Sequence, residues 1–288
     1  MHAITTAVRA ITTAVHSHPL ISYVVVTFAV SWSSALAVTG GAPPTTQQIP
    51  VLGVAMLAGP GVAAVTLTGW VAGRAGLRDL WSRLTRWRVE MRWYAFALLA
   101  CPVSTAAVLV ALSCFSSAFT PLPASRDDWP VLVGAGLAAG LLVGLLEELG
   151  WTGFAVPRLL AGHGPLAVGL LVGALWGAWH FIVFREADTF SAPFPLVLLL
   201  ARLFTGLLAL RVMLVWLHVR TQSLFLPVLM HAVVVAGVIA LEPVLAGRDL
   251  LVFVLLRSAV WAALALVVLR LAAPALPHDT AIGPEVPA

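Results

Sequence analysis

Two adjacent glutamates, Glu147 and Glu148, stand in a mostly apolar stretch running from Val131 to Val156. An acidic residue at the centre of a membrane helix costs roughly 2.5–3.5 kcal/mol on insertion scales, so a pair has no packing benefit to set against its cost. The structural alternative is that the pair marks a helix end solvated by headgroups. His180, in Trp176-Gly177-Ala178-Trp179-His180, and His231, in Leu229-Met230-His231-Ala232, also lie in apolar surroundings. Taken singly, each fits a hydrogen-bonded packing residue. Converging with the glutamates in a wettable cavity, they suit hydrolysis. A glutamate can take a proton from water, and an imidazole can hold the water or stabilise the oxyanion. The same set could bind a divalent metal or relay protons in a transporter, and spacing does not separate these readings. The chain has neither an HExxH metalloprotease motif nor a Gly-x-Ser-x-Gly elbow.

The elements that must position these groups are membrane helices. Hydrophobic residues make up 61% of the 288 positions and charged ones 10%, with a mean hydropathy of +1.01. A soluble domain needs more polar surface than that. Several apolar runs are long enough to cross ~30 Å of hydrocarbon as a helix, and lipid offers no partner to unpaired backbone groups. The reading is an all-α, polytopic transmembrane helical bundle of eight spans, at about 20–39, 51–73, 94–117, 131–157, 165–184, 194–217, 223–241 and 249–273. Residues 1–19 form an N-terminal cytoplasmic or interfacial segment, 20–273 the membrane domain, and the Pro-rich stretch 274–288 a disordered tail. Ala35-Leu36-Ala37 resembles a signal-peptidase site, but the apolar run before it is long, so an uncleaved first span is expected.

Charge sets the orientation. Residues 74–92 hold six arginines against Asp79 and Glu90, which predicts a cytoplasmic loop, with 40–50 and 118–130 outside and both termini in the cytoplasm. All sixteen basic residues are arginine. With the Ala, Gly and Val richness, this points to a GC-rich bacterial genome and a cell-membrane location. The arginines flank spans and form no nucleic-acid footprint, so the expected surroundings are a lipid bilayer and no nucleic acid. Measured from the expected cytoplasmic helix ends, helical rise puts Glu147 at ~16 Å, His180 at ~22 Å and His231 at ~13 Å, depths at which three spans can converge. Two glycine ladders, Gly136-Gly140-Gly144 and Gly169-Gly173-Gly177, allow close backbone approach. If Glu148 meets His180, the ladders must pack on other spans. Cys101 and Cys114 are expected to be buried free thiols. A repeated AITTAV at 3–8 and 10–15 puts Ile4, Val8, Ile11 and Val15 on one helical face, which suits a short interfacial helix.

The segment from Glu147 to Phe154, followed by Pro157-Arg158-Leu159, resembles the EExxxR motif of the CPBP family of intramembrane proteases. That family includes the CAAX prenyl endopeptidases of the Ras-converting type and bacterial self-immunity relatives. Trp176–His180 resembles its FxxxH motif, and His231–Val235 its HxxxN motif. Gly76–Leu80 through Trp93-Tyr94, and Arg211, Trp216, Arg220 and Ser223, are similar to bacterial members, so the resemblance covers about 74–240. It implies a glutamate-dependent endopeptidase cutting a peptide or protein substrate near the cytoplasmic leaflet. Glu147 would activate water with Glu148 beside it, while His180 and His231 position the water or stabilise the oxyanion. No cofactor is implied, and the metal question stays open. Thr152 replaces the motif Arg and Val235 the motif Asn, which leaves a weakly active or inactive immunity or binding relative as the second reading and a small proton-coupled transporter as the third. A general base must be ionised, so a nearby cation would help. Arg202, ~12 Å from the outer end of span six by helical rise, is the expected substitute for the motif Arg, with Arg257 as its rival.

Overall fold

A computed structural model describes residues 2–120 and 128–271, and among these residues every regular element is helical. In order they are α1 (His2–Ser17), α2 (Pro19–Thr39), α3 (Ile49–Leu84), α4 (Met91–Ser113), α5 (Trp129–Gly150), α6 (Val156–Leu160), α7 (Pro165–Trp179), α8 (Phe181–Phe184), α9 (Pro193–Ala201), α10 (Leu207–Thr221), α11 (Phe225–Ala240) and α12 (Gly247–Leu271). Wide π-helical turns at Trp151–Ala155 and Arg202–Gly206 join α5 to α6 and α9 to α10. Six helical stretches are long and apolar enough to cross a membrane, whereas α7 and α11 are shorter apolar helices. The chain is therefore an integral membrane protein; six of its helical stretches have the length of a span, and α7 and α11 stand at the other two positions read as spans from hydropathy. Helix α7 stops at His180, whose ψ of −10° breaks the regular turn before α8. The tail from 274 and residues 121–127 lie outside the described residues.

Residues 74–84 are helical rather than a loop. Gly73, at φ 58° and ψ −152°, breaks the path at the membrane edge, and the basic segment continues as a second arm of α3. A side chain is strongly disfavoured at that φ, so the position needs glycine.

Proline leaves the carbonyl four residues earlier without its helical partner, and inside a bilayer that carbonyl must find another donor. Two such carbonyls are satisfied by distant residues. Pro60 frees Met56 O, which accepts from Ser31 Oγ of α2 at 2.6 Å. Pro157 frees Gly153 O, which accepts from Arg83 Nη1 at 3.1 Å. Each bond ties together elements far apart in sequence, so the prolines act as interhelical attachment points.

The glycine ladders bring backbones together as expected, each against a different partner. A methyl at Gly144 would sit 2.7 Å from the Val228 carbonyl oxygen, one at Gly136 would sit 3.0 Å from Ala236 Cα, and one at Gly140 would overlap Ala232 O. The first ladder thus packs α5 on α11. A methyl at Gly169 would lie 2.7 Å from Val212 Cα, and one at Gly173 would lie 3.1 Å from Leu208 Cα, so the second ladder packs α7 on α10. Between these two pairs lies the space that holds the polar residues. Both cysteines are free, but only Cys101 is buried; Cys114, at the end of α4, is exposed.

Candidate active site

Glu148 continues the Gly136-Gly140-Gly144 face by one turn, so the close α5–α11 approach aims it at α11. There its Oε1 accepts from His231 Nδ1 at 2.8 Å. Its Oε2 accepts from Arg211 Nη1 of α10 at 2.7 Å and from the Thr152 hydroxyl. Arg211 Nη1 also donates to Thr152 Oγ1 at 3.3 Å. Glu148 and Arg211 are both wholly buried. The guanidinium lies 4.2 Å from the centroid of the Trp176 ring, whose face adds a cation–π attraction. Removing one member of a buried ion pair typically costs about 3–5 kcal/mol, so Glu148 is a structural anchor held from several sides.

Glu147 is placed differently. It accepts from Trp176 Nε1 at 2.5 Å and, with His180 and His231, lines a cavity of about 310 Å³. His180 Nδ1 faces Trp176 O at 2.8 Å, and a carbonyl can only accept, so Nδ1 carries the proton there. The ring stacks on Phe184 with centroids 5.5 Å apart. Both imidazoles therefore have Nδ1 occupied, which leaves Nε2 as the nitrogen available to a ligand. Among the described residues, no three His, Cys, Asp or Glu side chains are grouped to hold a metal ion.

The structure brings Glu147, Glu148, His180 and His231 around one centre, and the cation beside them is Arg211. Arg202, the residue expected there, instead pairs with Glu186 at 3.0 Å and lies over the Phe184 ring. Its rival Arg257 pairs with Glu242. Both line the same cavity, but nearer its mouth. Arg202 sits at the π-helical turn before α10, whereas Arg211 lies two and a half turns further into the bundle, level with Glu148. The signal for Arg211 was present in the sequence. Counted back from Gln222, helical rise puts it at about 16 Å, the depth reckoned for Glu147. Trp176, a departure from the motif Phe, is the other residue whose part was not foreseen. Its indole N–H holds Glu147 while its ring face covers Arg211.

Residues 127–237 match the family model described as type II CAAX prenyl endopeptidase Rce1-like. That stretch is an Rce1-like domain. No curated protein matches the chain. The Rce1-like stretch runs through most of α11, and so contains both glutamates, both histidines and Arg211. Glu242 and Arg257, at the cavity mouth, lie beyond it. Thr152 and Val235 stand where the family motifs have Arg and Asn. In this chain Thr152 bonds to Glu148 while Arg211 brings a guanidinium to the same carboxylate from α10. Val235 lines the cavity and offers it only methyl groups.

Proposed function

We propose that the chain is a CAAX-protease-like intramembrane endopeptidase of the cell membrane, in which Glu147 activates the attacking water. The observation that carries this reading is the division of labour between the two carboxylates. Glu148 has both oxygens committed to Arg211, Thr152 and His231. Glu147 has a single hydrogen bond from Trp176 and faces a cavity shared with two imidazoles. A water between Glu147 and the histidines can pass its proton to the carboxylate as it attacks a carbonyl carbon, and the Nε2 atom of either imidazole, once protonated, can donate to the oxyanion. The proton then moves to the leaving amine.

Proteolysis of a peptide library by the purified protein is the direct test. Glu147→Gln should lower the rate by roughly 10²–10⁴, as expected for loss of a general base, while melting is unchanged. Cleavage at full rate in that variant removes Glu147 from the mechanism. A specific observation favours a second reading. Val235 places apolar surface where the family motif has Asn, which suits an inactive relative that binds a partner without cutting it. A wild-type chain that cleaves no library member, yet captures a membrane partner, would establish it.

A further inference from the structure

The bundle has two distinct faces. One carries the basic arm of α3, the turn after α6 and the turn between α10 and α11. Leu224 N donates to Arg83 O at 2.8 Å, and Ser223 Oγ donates to Arg86 O at 2.7 Å, which ties that turn to the basic segment. The opposite face carries the turn after α2 and the segment from 185 to 192. There Arg185 Nη2 donates to Gly41 O at 2.6 Å and to Ala42 O at 2.9 Å. The segment joining α11 to α12 lies on that same opposite face.

The cavity follows this polarity on every helix that lines it. On α11 its walls run from His231 toward Glu242, away from the basic turn. On α12 they run from Leu250, near that helix's first turn, inward to Trp261. On the α9–α10 unit they end at Leu210, before the basic end. The site is thus at the blind end of a cavity whose mouth lies opposite the basic arm.

Charge says which face is which. The basic face holds the six arginines of residues 74–92 with Arg158 and Arg220, against Asp79 and Glu90. The opposite face, among the described residues, holds Asp128, Glu186, Asp188, Glu242 and Asp249, against Arg185 and Arg248, with Arg202 and Arg257 paired to Glu186 and Glu242. An arginine excess of that size beside short loops marks the cytoplasmic side.

We infer that the cavity is entered from the non-cytoplasmic face, and that its substrate is a polypeptide segment presented there. The wall chemistry narrows the segment. Val234, Val235, Val238, Phe253 and Val254 favour apolar side chains around the scissile bond, while the Arg202–Glu186 and Arg257–Glu242 pairs near the mouth suit the polar backbone that extends from it. The substrate class rests on the hydrolase reading; the direction of access does not.

Access can be measured without a substrate. Cys114 is exposed at the mouth-side end of α4, and Cys101 is buried, so the native chain carries its own reporter and its own silent control. In intact cells a membrane-impermeant maleimide should label Cys114. In a Cys114→Ala background it should label Val238→Cys, at a half-exposed cavity position. Ser82→Cys, on the basic arm, should react only after permeabilisation. Alkaline phosphatase fused at 124 should be active, and at 84 inactive. The reverse phosphatase pattern, or Val238→Cys that reacts only after permeabilisation, overturns the inference. The expected labelling in a chain that cleaves no peptide would sink the hydrolase reading and leave the direction of access standing.

Discussion

Arg211→Met is the most informative single change, because it removes a guanidinium and little volume. In the native protein Arg211 is wholly buried, bonds Glu148 at 2.7 Å and lies 4.2 Å from the Trp176 ring centroid. Without it, Glu148 keeps His231 and Thr152 but loses its fixed counter-charge. Breaking a buried pair from one side costs about 3–5 kcal/mol. For a chain of this size that corresponds to a fall in Tm of about 10 °C. Adding Glu148→Gln should recover part of the loss, because no carboxylate is then left unpaired. The double variant should fall short of the sum of the singles by about 2–3 kcal/mol. A second compensation restores the family pattern. Thr152 lies one turn beyond Glu148, so Thr152→Arg in the Arg211→Met background can bring a cation back to the same carboxylate from α5. It should recover at least half of the lost stability and of any cleavage. Thr152→Arg alone should harm, since two guanidiniums ~4 Å apart at an effective dielectric of 20 repel by on the order of 4 kcal/mol. The assay is thermal unfolding in one fixed detergent, with peptide cleavage in parallel. Unchanged melting in Arg211→Met would refute the reasoning, and so would strict additivity of the Arg211 and Glu148 changes to within about 0.5 kcal/mol.

The two glutamates should separate cleanly: Glu148→Gln should lower the melting temperature and loosen His231, whereas Glu147→Gln should leave melting in place. Equal thermal losses in the two variants would argue against an anchor and a base. Gly140→Ala drives a methyl into the Ala232 carbonyl and should destabilise by about 1–3 kcal/mol or more, while Gly134→Ala, where a methyl meets open space, should be neutral; equal melts would dissolve the α5–α11 packing argument. Val235→Asn puts an amide on the cavity wall and should raise cleavage several-fold if oxyanion support limits the native rate. No gain in a well-folded variant would place the oxyanion contacts on the histidines alone.

Membrane insertion, the helical class and the four ionisable residues at the centre were all legible in the chain itself. Their signals are local: an apolar run long enough to cross lipid, and ionisable groups inside it that need a reason to be there. The close approach made by the glycine ladders was legible too, but not their partners: the ladders were set apart on the condition that Glu148 meets His180, whereas Glu148 meets His231. What the chain by itself left open was the choice among partners. Depth is additive along a helix and can be counted. Which way a side chain points depends on the rotation of each helix and on its neighbours, which many contacts settle together. Arg202 and Arg211 are nine residues apart on one continuous run, and reading along it favoured the first. The π-helical turn at Arg202–Gly206 and the α7–α10 contact sent Arg202 to Glu186 and Arg211 to Glu148. The end of α7 was hidden for a related reason: hydropathy averages over a window, and a single His180 can end a helix inside it. The direction in which the cavity opens was decided by tertiary structure alone, because a void is bounded by several helices and is written in none of them.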